Sequence, residues 1–179
     1  MRLLSITILI YFFCAVNIAK SDQLFGISLN ENVLNYANNF DVNNAPRHVE
    51  AEHPFKEIQI IPPIQNSQFS DYWLGFDSMY NSIEEIVTFS EMPDLNTCIR
   101  FMNSWVPRLE QRFSVNLDYH EFVSADIVSY SNDAVLTDRS QVSVRCNVLS
   151  GEEVSLYLAW RSVHLVTAVN AYYNNLEKF

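Results

Sequence analysis

Glycine is scarce in this chain, with three in 179 residues. Loops that cradle a nucleotide phosphate, such as G-x-G-x-x-G, need several glycines close together so that backbone N–H groups can approach the ligand. The G-x-S-x-G turn that presents a hydrolase nucleophile is also absent. The sequence therefore predicts no bound cofactor and contains no motif typical of a serine hydrolase.

Basic residues are also few. Once Arg2 and Lys20 are set aside with the N-terminal segment, nine basic residues remain against 21 acidic ones, a net charge of −12. Nucleic-acid binding draws much of its affinity from Lys and Arg side chains that neutralise phosphates, so a nucleic-acid partner is not expected. The charge favours solubility, or attraction to a basic protein partner.

Only one long apolar run is present, over residues 3–16. It is shorter than the roughly 20 residues that a transmembrane helix needs. Ala19 and Ser21 then place small residues at −3 and −1 of a cut before Asp22, as signal peptidases require. Residues 1–21 are therefore predicted to be a cleaved signal peptide of a periplasmic or secreted protein without stable membrane insertion. An uncleaved membrane anchor is the alternative.

Cleavage would remove Cys14 and leave Cys98 and Cys146 as the only cysteines. Exported proteins meet an oxidising compartment, where an even pair of cysteines is typical of a disulfide. The sequence therefore predicts a Cys98–Cys146 bond. Two buried free thiols or a Cys–His arrangement are the alternatives.

The rest of the chain, residues 22–179, is predicted to form a single α+β domain with a less regular N-terminal part over residues 22–54. We expect an antiparallel sheet packed by a kinked central helix and a C-terminal helix. Helices are expected at residues 30–40, 94–113 and 163–176, and strands at residues 55–61, 69–76, 83–89, within 119–130, 141–149 and 154–160.

The central helix has the clearest signals. Asp94 is a typical N-cap residue, and Cys98 lies on an apolar stripe with 3–4 spacing. Pro107 lies inside the helix and is expected to kink it. The end of the chain is less clear, because residues 152–178 fit either a hairpin strand plus a helix or one long helix. Strict alternation of apolar and other residues over residues 154–160 favours the hairpin.

The order of these features resembles small exported proteins of Gram-negative bacteria to which no activity is attached. The resemblance is carried by Leu24-Phe25-Gly26-Ile27 after the cleavage site, Pro62-Pro63 after a strand, Phe69 and Tyr72, a helix with Cys98, and a late strand with Cys146. It implies a periplasmic location.

Asp118 and His120 are the candidate catalytic pair, because they would share one face of a strand and an acid–His pair can orient a general base. No nucleophile with a diagnostic setting accompanies them. A polar face of an edge strand is therefore the favoured interpretation, and a hydrolase using His120 is the weaker one.

Two other groups of polar residues are candidate sites. His48, Glu52 and His53 resemble a metal pair, but their spacing matches no known motif, so a solvated polar linker is favoured and no metal is predicted. Glu84-Glu85 and Glu152-Glu153 are adjacent carboxylates that point to opposite faces of a strand, and they are expected to be solvated.

Aromatic side chains are abundant, and two interpretations are open for them. They are Tyr72, Trp73, Phe76, Phe101, Trp105, Trp160, Tyr172 and Tyr173. An ordinary core is favoured over a ligand cavity between sheet and helix. The function that the sequence favours is thus an exported, non-catalytic binding or interaction module, with a carrier of a small apolar ligand as the alternative.

Overall fold

Seven antiparallel strands in one sheet organise the fold. A computed structural model describes residues 23–49, 51, 54–124, 126–149 and 153–176. The predicted signal peptide, residues 1–21, lies outside the described residues.

The helices and strands have the following bounds. The strands are β1 (Phe55–Gln59), β2 (Asp71–Asp77), β3 (Ser82–Met92), β4 (Asp118–Val123), β5 (Ile127–Val135), β6 (Gln141–Leu149) and β7 (Val154–Arg161), and the helices are α1 (Asn39–Asn44), α2 (Leu95–Phe113) and α3 (Val163–Leu176), with a 3₁₀ turn at Val33–Asn35.

The sheet consists of two meanders joined side by side, in the order β1-β2-β3-β7-β6-β5-β4. Every neighbouring pair is antiparallel, and β7 joins the halves by pairing with β3. Helix α2 connects the two meanders, so the chain passes from the middle of the sheet to its far edge before it returns strand by strand. The predicted antiparallel α+β architecture is therefore present.

The main core lies between α2 and one face of the sheet. Alternate residues of the central strands point to this face, and Leu74, Ile86 and Leu158 are almost completely buried there. The apolar stripe of α2 buries Met102 and Leu109. Its start is fixed as predicted, because the Asp94 side chain accepts a hydrogen bond from the Thr97 N–H at 2.7 Å.

The predicted cysteine pair spans this interface. The sulfur atoms of Cys98 and Cys146 lie 2.13 Å apart, which is disulfide distance, with their Cα atoms 5.9 Å apart. Both side chains are fully buried. The pair therefore ties the first turn of α2 to the middle of β6.

The N-terminal part differs from the prediction. The helix expected at residues 30–40 is replaced by a 3₁₀ turn and by α1, which extends into the predicted loop. The side chains of Asn32 and Asn38 each cap one of these short helices. Asparagine side chains bind nearby backbone groups, so an Asn-rich segment is divided into short capped turns instead of one long helix.

The C-terminal half settles two further predictions. Residues 119–130 contain parts of two strands, β4 and β5, and not one, because the chain turns back after β4. Residues 154–176 form β7 followed by α3, so the hairpin is confirmed and the single long helix is wrong.

Helix α2 continues as one helix across Pro107, and the kink there stays a prediction. None of the helices in the described part of the chain is long and apolar enough to cross a membrane.

Candidate functional sites on the open face and at the sheet edge

The sheet face opposite α2, called the open face here, collects the polar and aromatic side chains of the central strands. The register places Trp73, Val87 and Ala159 in one row across the strands. A second row contains Phe89, Tyr157 and Arg145. Because directly opposite residues in antiparallel strands point to the same side, both rows lie on the open face.

A buried ion-pair cluster lies at one end of this face. The Glu85 side chain accepts hydrogen bonds from His48 Nε2 at 2.8 Å and from the Arg161 guanidinium Nε. Arg161 Nη2 also donates to the Tyr157 hydroxyl at 3.0 Å. The cluster therefore links β3 and β7 to the segment before β1.

Gly75 makes room for this cluster. A Cβ atom at this position would lie 2.9 Å from Glu85 Cβ and 3.3 Å from His48 Cδ2. Glycine inside a strand often marks such a close approach. The register of β2 and β3 also shifts between Gly75 and Phe76, which is a β-bulge.

Glu85 remains ionised despite its burial. Burial alone would raise the pKa of Glu85, but the charge of Arg161 and the hydrogen bond from His48 outweigh it and lower the pKa from 4.5 to about 2. The carboxylate can therefore only accept hydrogen bonds, and the His48 nitrogen facing it carries a proton.

Arg145 extends the polar network across β6. Its guanidinium carbon lies 5.2 Å from the centre of the Tyr157 ring, a cation–π contact. Its Nη2 donates to the Ser143 hydroxyl at 3.1 Å and lies 3.9 Å from a carboxylate oxygen of Asp133. Arg145 is about one-third exposed, so this long ion pair adds little stability.

A cleft of about 280 Å³ lies over this network. It is lined by His48, Val49, Glu57, Trp73, Glu85, Val87, Phe89, Arg145, Asn147, Tyr157 and Arg161. Its walls thus combine a flat apolar and aromatic surface with charged groups.

Two buried donors in this lining have no acceptor. Within the described ranges, the buried side-chain nitrogens without a hydrogen-bond partner are Trp73 Nε1, Asn132 Nδ2 and Arg145 Nε. Trp73 and Arg145 both line the 280 Å³ cleft. A buried donor left unpaired costs free energy, on the order of 1–3 kcal/mol, so each such group calls for an explanation.

The structure corrects two sequence predictions here. The sequence predicts solvated side chains for Glu84 and Glu85, yet they are 5% and 3% exposed. Glu84 accepts a hydrogen bond from the Ser162 hydroxyl, and Glu85 is covered by His48 and Arg161. His48 was expected in a solvated linker, yet it is 5% exposed because it packs against Glu85. Glycine in the middle of β2 was the one signal in the sequence that something approaches closely there.

The structure describes only some of the residues considered as metal ligands or paired carboxylates. Glu52, His53 and Glu152 lie outside the described residues. In the part of the chain that is described, no group of three or more His, Cys, Asp or Glu side chains is placed to hold a metal ion.

The candidate catalytic residues Asp118 and His120 lie on β4, the last strand of the sheet. Both are exposed, and neither lines the 280 Å³ cleft or the larger cleft described below. The register places them on the same side of the strand as expected, opposite Asp133 and Ser131 of β5.

Strand β4 is exposed along its whole length. Tyr119, Phe122 and Val123 are 57%, 60% and 64% exposed. Asp118 lies directly opposite Asp133, so two carboxylates face each other across the strands. Like charges in this position repel each other, and the free edge is therefore both apolar and electrostatically unfavourable.

A larger cleft of about 890 Å³ lies beside β1, and Tyr72 and Asn66 are among the residues lining it. The Tyr72 hydroxyl accepts from Asn66 N–H at 2.7 Å and donates to Asn66 O at 3.0 Å. None of the unpartnered nitrogens of the described residues lies in its lining. Unpaired buried donors therefore point to a ligand in the cleft on the open face and not in this larger cleft.

The aromatic residues divide between core and surface. Tyr72, Phe76, Trp105 and Trp160 belong to the buried cluster between α2 and the sheet. Trp73 lies on the open face instead. The sequence periodicity alone did not distinguish the two groups.

No known protein family, curated protein or solved structure matches this chain. The resemblance to small exported Gram-negative proteins therefore stays an expectation from the sequence.

Proposed function

We propose that this protein is an exported interaction module that binds an extended basic segment of a partner protein along β4. The observation that carries the proposal is the fully exposed edge strand with apolar side chains on both of its faces. An edge strand presents unpaired backbone groups to which another chain can add a strand.

The side chains of β4 define the chemistry of the partner. Asp118 lies on the open face beside Asp133, so a lysine or arginine there would relieve the repulsion between the two carboxylates. Tyr119 and Val123 lie on the other face and are exposed, so apolar residues fit there. A strand that alternates basic and apolar residues matches both faces.

A second copy of this chain is a poorer occupant. With the predicted signal peptide removed, each copy carries a net charge of −12. Pairing β4 with itself would bring Asp118 and Glu121 of both copies to one edge, and like charges oppose such pairing.

Export is part of the same proposal. The cysteine pair at disulfide distance and the lack of a membrane-spanning helix in the described residues are compatible with it. The carrier alternative needs a cavity between sheet and helix, whereas the two clefts described above lie at β1 and on the open face. His120 lies outside both clefts, so a hydrolase has less support than an interaction module.

The test uses two fluorescent ten-residue peptides, one alternating valine with lysine and one alternating valine with glutamate. We expect the lysine peptide to bind, with an affinity that falls as salt rises, and the glutamate peptide not to bind. Tyr119→Lys places a lysine on the edge strand and should weaken binding roughly tenfold or more. Fluorescence anisotropy measures both effects.

Tyr80→Lys is the matched control, because Tyr80 is also exposed but lies in the turn between β2 and β3. It should leave binding unchanged. Equal binding of both peptides, or equal loss in the two variants, would contradict the proposal. Dimers that Tyr119→Lys disrupts in sedimentation experiments would show that a second copy occupies the edge instead.

A further inference from the structure

We infer that the 280 Å³ cleft on the open face is a second binding site, specific for a small planar organic acid. Trp73, Arg145 and Tyr157 frame this site. The site is separate from the proposed pairing along β4, because β5 lies between β4 and the cleft-lining strands. Asp133 of β5 is the residue that both arguments use.

The unpaired donors supply the first argument. Trp73 Nε1 and Arg145 Nε are buried without an acceptor, although both residues line the cleft. The other two tryptophans of the chain have partners: Trp105 Nε1 donates to Gln68 at 2.8 Å and Trp160 Nε1 to Ser140 at 3.1 Å. Both nitrogen atoms are covered by protein atoms, so a ligand with two acceptor groups would satisfy these donors by displacing the side chains that cover them. A purely apolar ligand would satisfy neither donor.

The charge distribution determines which end of the ligand is acidic. The charge of Arg161 is held by Glu85 in the buried cluster. Among the described residues, the carboxylate paired with Arg145 is that of Asp133, 3.9 Å away, so the charge of Arg145 is the less neutralised of the two. A carboxylate on the ligand would form a charge-assisted hydrogen bond with Arg145.

The opposite end of the ligand is expected to be neutral. The donor at this end is the uncharged indole N–H of Trp73. The charge of Arg161, which also lines the cleft, is held by Glu85. A neutral acceptor such as an ether or carbonyl oxygen therefore fits the Trp73 donor.

The size and floor of the cleft define the body of the ligand. Val87, Phe89 and Tyr157 lie between Trp73 and Arg145 on the flat surface of the sheet. Three strand spacings separate β2 from β6, or roughly 14 Å between the backbones. The cleft volume of about 280 Å³ lies below the range of roughly 300–1,000 Å³ for drug-sized ligands. A single aromatic ring with a short acidic arm has suitable dimensions.

The probe is 4-methoxycinnamate, and 4-methoxycinnamamide is its neutral counterpart. The ¹⁵N-labelled chain with oxidised cysteines gives one indole N–H resonance for each of its three tryptophans, and Trp73→Phe identifies the resonance of Trp73. We expect the acid to shift the Trp73 resonance at saturation and to leave those of Trp105 and Trp160 in place. The amide should bind roughly tenfold or more weakly, because it lacks the charge that Arg145 binds.

Arg145→Gln should reduce the affinity for the acid to that for the amide. Arg100→Gln is the matched control, because Arg100 makes a similar cation–π contact, 5.6 Å from the Phe101 ring, but lies on α2. It should leave both affinities unchanged. An unmoved Trp73 resonance, or equal binding of acid and amide to the unmodified chain, would overturn the inference.

Discussion

Glu85 is buried, although the sequence predicts a solvated side chain at this position. Adjacent glutamates in a strand are usually solvated, yet Glu85 is buried because His48 and Arg161 supply two hydrogen bonds to it. Burying a charge is costly unless it is paired, and breaking such a pair leaves an uncompensated charge in the interior. The residues around Glu85 are therefore expected to act as one unit.

Glu85→Gln is expected to lower the free energy of unfolding at pH 7 by roughly 3–5 kcal/mol. The pKa of Glu85 is lowered from 4.5 to about 2, so its stabilisation is present above pH 4.5 and is lost as the pH falls towards 2. The difference between the unmodified chain and the variant should therefore shrink over this interval. Urea unfolding followed by tryptophan fluorescence from pH 2 to pH 7 measures it.

Glu91→Gln is the control for this series, because Glu91 points to the same face of β3 but is exposed. It should change the unfolding free energy little at any pH. A Glu85→Gln variant as stable as the unmodified chain at pH 7 would contradict the ionised, paired state of Glu85.

Gly75→Ala is also expected to be destabilising, by about 1–3 kcal/mol. The added Cβ would lie 2.9 Å from Glu85 Cβ, so the backbones of β2 and β3 would have to move apart. Chemical denaturation measures the loss. An unchanged unfolding midpoint would show that β2 has more room beside the ion-pair cluster than the structure indicates.

At the scale of secondary-structure elements, the junction of α2 with the sheet forms the main core. Four buried side chains of α2 face the core, and one of them is Cys98. Its partner Cys146 lies on β6, 48 residues further along the chain. The bond would therefore close a long loop that includes all of β4 and β5.

Replacing both Cys98 and Cys146 with alanine is expected to lower the free energy of unfolding by roughly 4 kcal/mol, because the unfolded chain gains loop entropy. Urea unfolding of the oxidised chain and of the double variant gives the difference. Dithiothreitol should destabilise the unmodified chain and leave the double variant unchanged. Equal stability of the two oxidised proteins would show that the pair contributes nothing to the fold.

At the scale of the whole molecule, the two faces of the sheet have different surroundings. One face is covered by α2 and forms the core, while the other carries the ion-pair cluster and the open-face cleft. The free edge at β4 is separate from both. The proposed strand-binding edge and the proposed ligand site on the open face are therefore separate surfaces of the sheet.

Export can be tested on the intact chain. A host that secretes the protein should yield a mass that begins at Asp22 and rises by about two hydrogens on reduction, because we expect cleavage of the predicted signal peptide and an oxidised Cys98–Cys146 pair. Intact mass spectrometry under non-reducing and reducing conditions measures both. A mass that begins at Met1 would point to the membrane-anchor alternative and would remove the argument for an oxidising compartment.

The sequence by itself determined the local features of this protein. Alternation with period two identified β7 and the burial of one face of β6, and the apolar stripe with its Asp94 cap identified α2. The count of cysteines left after residue 21 predicted the Cys98–Cys146 pair, which lies at disulfide distance. These features depend on the chemistry of residues close together in the chain or on simple counting.

Only the tertiary structure decided what lies on the open face. His48, Glu85 and Arg161 come from distant parts of the chain, and the pairing of β3 with β7 brings them together. The exposed edge of β4 likewise follows from the order of the strands. Periodicity shows which side chains share a face of one strand, but the pairing of strands determines their neighbours, and it depends on long-range contacts that no local pattern records.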